Sequence, residues 1–255
     1  MELMIDIHSH ILPGIDDGAR TLDESLEMTE IAAADGIEQM VATPHVFKGL
    51  SHDPEPAEVV RRVAALQAAI AAKLKILPGS EAHITHDIAE QAKAQRVTTI
   101  NQCNYLLVEF PQLAVPVGAD EVFYELQLQA IHPILVHPER NIQIQMRPSL
   151  VAEYVMRGVF IQVTAMSVAG EFGTSAKKCA ETLLEHHCVH FLATDAHRPS
   201  KRPPILSRGR DAAARIVGGR EARRLVYDNP LAVVEGRSLK VEQPLSFQSR
   251  KPFSF

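Results

Sequence analysis

Short apolar runs rich in β-branched residues recur along the chain. Each is followed by a longer stretch whose apolar positions repeat every three or four residues. The short runs predict strands over 3–7, 39–42, 75–77, 105–110, 134–136, 159–163 and 190–193. Between them a helix is expected from the capping box Thr21-Leu22-Asp23-Glu24 to a stop at Gly36. Further helices are expected over 56–73, 119–130, 149–157 and 174–187, and two more between 207 and 226. The strands are nearly continuous in apolar character and are joined by helical crossovers. That pattern predicts an α/β fold with a parallel sheet covered by helices. Seven β/α units in this length favour a barrel over an open sheet. Residues 1–237 read as one domain, and 238–255, with Pro244, Pro252 and scattered serines, as a loosely held tail.

Composition narrows the picture. The chain has 255 residues, 46% of them apolar, enough for one sizeable core. Its net charge is −5, and its 26 basic residues form no long block, which argues against a nucleic-acid partner. Glu2 and Asp6 break any secretory signal, and no apolar run predicts membrane insertion. Three cysteines, an odd number without an obvious pairing, fit a reducing cytoplasm.

The chemistry gathers where strands end. His8 and His10 follow the first strand, with Asp16 and Asp17 on the next loop. "TPH" places His45 after the second and "PGSE" places Glu81 after the third. Glu109 closes the fourth in "LLVEF". "VHPER" brings His137 and Arg140 after the fifth, and "ATDAH" brings Asp195 and His197 after the seventh. In a parallel barrel all these ends meet on one face. A single strand-end histidine is ordinarily a solvated side chain, but a carboxylate inside an apolar strand is costly unless paired or bound to a cation. Taken together, His8, His10, Asp17, His45, Glu81, Glu109, His137, Asp195 and His197 read as a metal cluster. Five imidazoles and four carboxylates without a thiolate suit Mn, Fe, Co or Zn, and are enough for two or three ions. "EHHCVH" at 185–190 is read as a helix end whose histidines suit the dipole, matching no closed zinc pattern. His52, His83, His86 and His132 are read as ordinary polar residues, His83 drawing interest by its closeness to Glu81.

The set "DIHSHILPGIDDG", "TPH", "GSE", "LLVEF", "VHPER" and "ATDAHRPSKRPP" resembles the PHP (polymerase and histidinol phosphatase) superfamily. The opening is most similar to the manganese-dependent bacterial protein tyrosine phosphatases linked to capsule and exopolysaccharide synthesis. The match runs from Met4 to about Asn229, in a closing "DNP". The resemblance implies a distorted (β/α)7 barrel and three divalent metal ions, manganese first, with iron, cobalt or zinc as other candidates. It implies His8, His10, Glu81 and Asp195 around the first ion, Glu81, Glu109 and His137 around the second, and Asp17, His45 and His197 around the third. It also implies phosphate-binding roles for Arg140 and Arg202, which by spacing alone read equally well as surface ion pairs. The implied substrate is a phosphotyrosine protein, a bacterial tyrosine autokinase in particular. The chain departs from the family at "QVTAMS", where Thr164 and Ser167 stand, and at "EAHITH" after Glu81.

Cysteine-based phosphatase chemistry needs a Cys followed six positions later by Arg. Glu109, Glu185 and Thr194 stand six positions after Cys103, Cys179 and Cys188, so that mechanism is excluded. Another phosphoesterase of the superfamily, such as a histidinol-phosphate phosphatase or a nuclease, is disfavoured by Asp17 and Glu109, where such relatives tend to use histidine. A non-catalytic module is disfavoured because every ligand position has a suitable residue.

Overall fold

A computed structural model describes residues 2–49, 53–240 and 242–247. Among the described residues nine strands form two sheets: β1 (Met4–Ser9), β2 (Ile37–Ala42), β3 (His45–Val46), β4 (Lys75–Pro78), β5 (Glu81–His83), β6 (Tyr105–Glu109), β7 (His132–Val136), β8 (Phe160–Thr164) and β9 (Phe191–Ala193). Among them run α1 (Leu22–Asp35), α2 (Pro56–Ala69), α3 (Ile88–Lys93), α4 (Ala119–Leu128), α5 (Ile142–Met146), α6 (Ser149–Met156), α7 (Ala165–Ala169), α8 (Thr174–Glu185), α9 (Ser207–Val217), α10 (Gly219–Arg223) and α11 (Asn229–Val234). One sheet has the order β1-β2-β4 and the other β3-β5-β6-β7-β8-β9. Every pairing is parallel. The expected α/β architecture with parallel strands is therefore present.

Two breaks in the chain path separate the sheets. Pro44 interrupts the run from β2 into β3, since proline has no N–H for the ladder. Gly79-Ser80 interrupts the run from β4 into β5. The Glu81 N–H donates to the Pro44 carbonyl (3.0 Å), keeping the two broken strands side by side. At the other margin, Ser9 bridges to Ala196 in parallel register. His10 N–H donates to Ala196 O (2.8 Å) and Asp195 N–H to His8 O (2.9 Å). Apart from the short β3 and β5, which feed only one, the strands feed two apolar clusters from their two faces. Ile5, Ile7, Val41, Leu77, Tyr105, Leu107, Ile134, Val136, Phe160, Phe191 and Ala193 join one cluster, together with Val233 and Val234 of α11. Met4, Met40, Ile76, Leu106, Leu135, Ile161 and Leu192 join the other, packed with the helices. That two-sided burial is why the strands read as unbroken apolar runs rather than alternating ones.

The α1 cap forms as expected, with one difference. Thr21 Oγ1 accepts from Glu24 N–H (3.2 Å), but Glu24 Oε2 accepts from Arg20 N–H (2.7 Å), one residue ahead of the cap. Gly36 stops the helix at φ 97°. Helix α2 ends at Ala69, short of the expected 73. Residue 70 turns extended, and the Gln67 side chain binds Leu74 O and Ile76 N–H, drawing the next strand back along the helix. Residues 239, 245 and 247 of the tail, read as loosely held, make contacts with the body of the fold. Leu239 N–H donates to Tyr105 Oη (3.2 Å), Leu245 N–H to His186 O (2.8 Å), and Phe247 stacks on His186 (3.9 Å). Residues 248–255 lie outside the described residues, as does His52.

The "EHHCVH" histidines have structural partners. His190 is buried against Phe160, and its Nδ1 accepts from Ile161 N–H (3.1 Å), fixing the neutral form. Burial, with Arg224 nearby, pushes its pKa down to about 4. The unfolded chain takes up this proton near pH 6.5, so the stabilisation is complete above that value and is lost as pH falls toward 4. We expect urea titrations with chelator present to show the parent losing about 2 kcal/mol more than His190→Gln between pH 7 and pH 5.

Candidate metal centre and phosphate clamp

Strand register sets the site. His45 pairs with Glu81 across β3–β5, and His83 with Glu109 across β5–β6. On the face that carries Tyr105 and Leu107, the next residue is Glu109; Phe160 is followed by Gln162 and Thr164. The face that is apolar at the start of each strand thus turns polar at its C-terminal end. His137 (φ 35°) and Asp195 (φ 51°) stand just past β7 and β9 in left-handed backbone, as does Arg202 (φ 64°) on the following loop. Such strain in non-glycine residues collects at functional sites.

Eight of the nine candidate ligands are buried; Asp17 is exposed. His10 Nε2 lies 3.3 Å from both Glu81 Oε2 and Asp195 Oδ1, and His8 Nε2 lies 3.4 and 3.5 Å from the same oxygens. His137 Nε2 reaches Glu81 Oε1 at 2.7 Å and Glu109 Oε1 at 4.0 Å. Asp17 Oδ1 is 3.3 Å from His45 Nε2 and 3.4 Å from His197 Nε2. The sequence-derived residues all converge, but the groups overlap: His8 also sits with Glu81 and His137, His10 with Asp17 and His197, and His45 turns its Nδ1 to Glu81 Oε2 at 2.8 Å while its Nε2 faces Asp17. His45 therefore joins a group with Glu81 and Glu109 as well as one with His10, Asp17 and His197.

The donor atoms fit divalent ions. His8 Nε2, His10 Nε2, His45 Nδ1 and Glu81 Oε2 are buried with no hydrogen-bond partner. The opposite nitrogens of two rings are committed: His10 Nδ1 to Asp16 Oδ2 (2.7 Å) and His197 Nδ1 to the Asp195 carbonyl (3.0 Å). His8 Nδ1 faces Gln162 Oε1 at 2.9 Å. With the Nδ1 atoms so engaged, each Nε2 faces carboxylate oxygens, an arrangement that positive charge between them, carried on the rings or by a bound cation, makes favourable. Oxygen and nitrogen ligands about 2.1 Å from a tetrahedral ion lie about 3.4 Å from one another, the separation seen around His8 and His10. Burial opposes ionisation of Glu81 and Asp195, yet the facing His8 holds both well below the usual carboxylate range, helped by His45 for Glu81 and by Arg202 and Arg140 for Asp195. Burial and the charge of His10 push His197 down to about 4, leaving it neutral and able to coordinate.

Asp195 is two-sided. Its Oδ1 faces His8 and His10, while its Oδ2 accepts from both Arg140 and Arg202. Arg140 comes from the 3₁₀ turn Pro138–Arg140 and Arg202 from the loop after β9. Both guanidinium groups keep donors free for an anion beside the histidine cluster.

Several supporting residues, some of them noted in the sequence, were assigned no role there. Asp16 orients His10 and also accepts from Gly18 N–H (2.9 Å) and His45 N–H (3.2 Å). The signal was present in "DDG": a Cβ at Gly18 would sit 2.1 Å from the His10 carbonyl, so only glycine lets the loop fold back on the histidine strand. Glu139 of "HPER" is fully buried and accepts from Thr164 N–H (3.1 Å) and Ser167 Oγ (2.6 Å). The "QVTAMS" departure thus anchors the turn that carries Arg140. Lys48 Nζ sits 3.0 Å from both His45 Nε2 and Glu109 Oε2, and His83 Nδ1 lies 3.4 Å from Glu109. No periodicity marks Gln162, whose partner is 154 residues away.

The family model for capsular polysaccharide synthesis, CpsB/CapC, matches residues 4–235. The chain is 34% identical to the tyrosine-protein phosphatase YwqE of Bacillus subtilis, across 99% of this chain and all of that protein. It is 30% identical to the tyrosine-protein phosphatase CpsB of Streptococcus pneumoniae, over 91% and 98% of the two chains. A crystal structure described as that of YwqE and CpsB, metal-dependent tyrosine phosphatases, superposes with a TM-score of 0.92, covering 96% of this chain and 100% of the other at 33% identity. A histidinol phosphate phosphatase from Lactococcus lactis shares the fold at a TM-score of 0.57, 14% identity, covering 84% and 93%.

Asp16→Ala removes the group that orients His10 and no direct candidate ligand. We expect metal affinity to fall by about 10- to 100-fold, read by titration against a competing chelator, with the far-ultraviolet circular dichroism unchanged.

Proposed function

The chain belongs to the capsular polysaccharide synthesis family CpsB/CapC, and on that footing we propose that it is a metal-dependent protein tyrosine phosphatase. The observation that carries this reading is the two-sided Asp195, which sets a cluster of unpaired metal-binding atoms against a pair of arginines. His8, His10, Glu81 and Asp195 would hold one ion, Glu81, Glu109 and His137 a second, and Asp17, His45 and His197 a third. Manganese is the first candidate, with iron, cobalt and zinc also suited to such nitrogen and oxygen donors. Divalent ions in such a site supply Lewis acidity and lower the pKa of water toward neutrality.

The protein's own groups do the rest. Arg140 and Arg202 bind phosphate oxygens with paired N–H donors, a planar geometry that lysine lacks. Asp195 holds both guanidinium groups beside the cluster, so the phosphorus is presented to it rather than to solvent. The leaving phenol has a pKa near 10 and departs more readily than an aliphatic alcohol. Cys179 and Cys188 take no part: burial pushes their thiols up to about 12, so neither is a thiolate at neutral pH.

The finer fold assignment is a distorted (β/α)7 barrel, with 1–237 as the phosphatase domain. It is supported by the Ser9–Ala196 bridge at one margin and the Glu81–Pro44 bond at the other. The substrate we assign is an autophosphorylated bacterial tyrosine kinase of capsule or exopolysaccharide synthesis, met in the cytoplasm. Among the described residues no helix is long and apolar enough to cross a membrane. The likeness to the histidinol phosphate phosphatase extends to fold alone.

At equal metal loading, kcat/KM for a phosphotyrosine peptide should exceed that for the matching phosphoserine peptide by at least about 100-fold, equivalent to about 2.7 kcal/mol. Fastest turnover of histidinol phosphate in the same assay would replace this reading with that of a small-molecule phosphatase. Chelation should abolish activity and Mn²⁺ restore it, while iodoacetamide leaves the rate unchanged. Inhibition by iodoacetamide that phosphate prevents would defeat the metal-dependent reading.

A further inference from the structure

We propose that Phe172 is a positioning residue for the phosphate clamp: its ring is the common platform against which both arginines lie. The inference rests on the reading of Arg140 and Arg202 as phosphate-binding groups. The Arg140 guanidinium carbon is 5.1 Å from the centre of the Phe172 ring and that of Arg202 is 5.6 Å away. Both distances are within cation–π range. Phe172 belongs to neither apolar cluster, although it is a large apolar side chain beside the site. Core packing therefore does not account for it.

The geometry creates the need for such a platform. Two positive guanidinium groups converge on one carboxylate oxygen, Asp195 Oδ2, and repel each other there. The negative face of an aromatic ring offsets that repulsion without consuming any N–H donor, so the donors stay available to phosphate. Asp195 alone fixes one end of each guanidinium and leaves its plane free to turn. The Arg202 Nη1 contact to His197 Nε2 (3.1 Å) is a weak second support, because that nitrogen is one of the proposed metal ligands. Arg202 Nε is buried without a partner, which a bound phosphate oxygen would answer.

The backbone presents the ring deliberately. Phe172 stands between Gly170 (φ 92°) and Gly173 (φ 88°), in the link from α7 to α8. Gly170 N–H donates to Ser167 O (3.1 Å) and Glu171 N–H to Met166 O (2.8 Å), a closed helix end that fixes where the link leaves α7. Ser167 in turn holds Glu139, two residues from His137 and next to Arg140. The ring and the turn carrying Arg140 thus share one anchor.

The test compares Phe172→Leu, Phe172→Tyr and the double variant Arg140→Ala/Arg202→Ala, each with its metal content measured. Phe172→Leu should raise both the KM for a phosphotyrosine peptide and the inhibition constant of inorganic phosphate by roughly tenfold, with kcat changed less than about threefold and metal content unchanged. Phe172→Tyr should keep both constants within about twofold of the parent, because it retains the ring face. Adding Phe172→Leu to the double arginine variant should change neither constant further, which a general loss of structure would not predict. If Phe172→Leu leaves phosphate inhibition untouched while the arginine variant loses it, the platform is overturned and the clamp stands. If the arginine variant itself keeps full phosphate affinity, the clamp reading beneath the proposal fails.

Discussion

Glu81 has no exposed surface, and its two oxygens face four imidazoles: His8, His10 and His45 from one side, His137 from the other. A carboxylate so placed, with its oxygen unpaired and ring nitrogens turned toward it, is unstable unless positive charge enters the cluster. The remainder of the mouth is organised around that requirement. Left-handed backbone at His137 and Asp195 costs about 1–3 kcal/mol per residue. It is tolerated because it brings both side chains to the same small volume as Glu81.

Around this centre the neighbouring residues divide their tasks. The adjacent aspartates of one loop do different work: Asp16, its side chain enclosed, orients His10, while Asp17, largely exposed, reaches His45 and His197. Asp195 serves two clients with its two oxygens. Lys48 brings a cation to the rim, 3.0 Å from Glu109 Oε2, where it offsets carboxylate charge.

What could be read from the sequence was what local pattern encodes. The strands were legible because both faces are buried, and the nine candidate ligands because each follows or closes one of the apolar runs that could be read as a strand. The (β/α) order was legible for the same reason. The strands β3 and β5 were not: with two and three residues, after Pro44 and after Gly79-Ser80, they carry no periodicity and read as loops. The short helices α3, α5, α7 and α11 escaped for the same reason. Gln162, Glu139 and Phe172 escaped for another. Their roles lie in partners far along the chain or on another element, and nothing near them in sequence distinguishes a ring packed in a core from one lying against two guanidinium groups. The early end of α2 depends on one Gln67 side chain, and propensity does not register a single side-chain capture.

The bond between Asp195 N–H and the His8 carbonyl joins residues at opposite ends of the sequence, and the buried contact from Asp6 to Thr194 spans 188 positions. Closing a loop of that length costs conformational entropy that the contact must offset. During synthesis His8 and His10 emerge first and wait for β9 before Asp195 can join them. A nascent chain therefore carries the His-x-His pair long before it has Asp195 and Arg202. The complete centre is a product of finished folding, which makes metal stoichiometry a direct gauge of whether a given molecule has reached its native state.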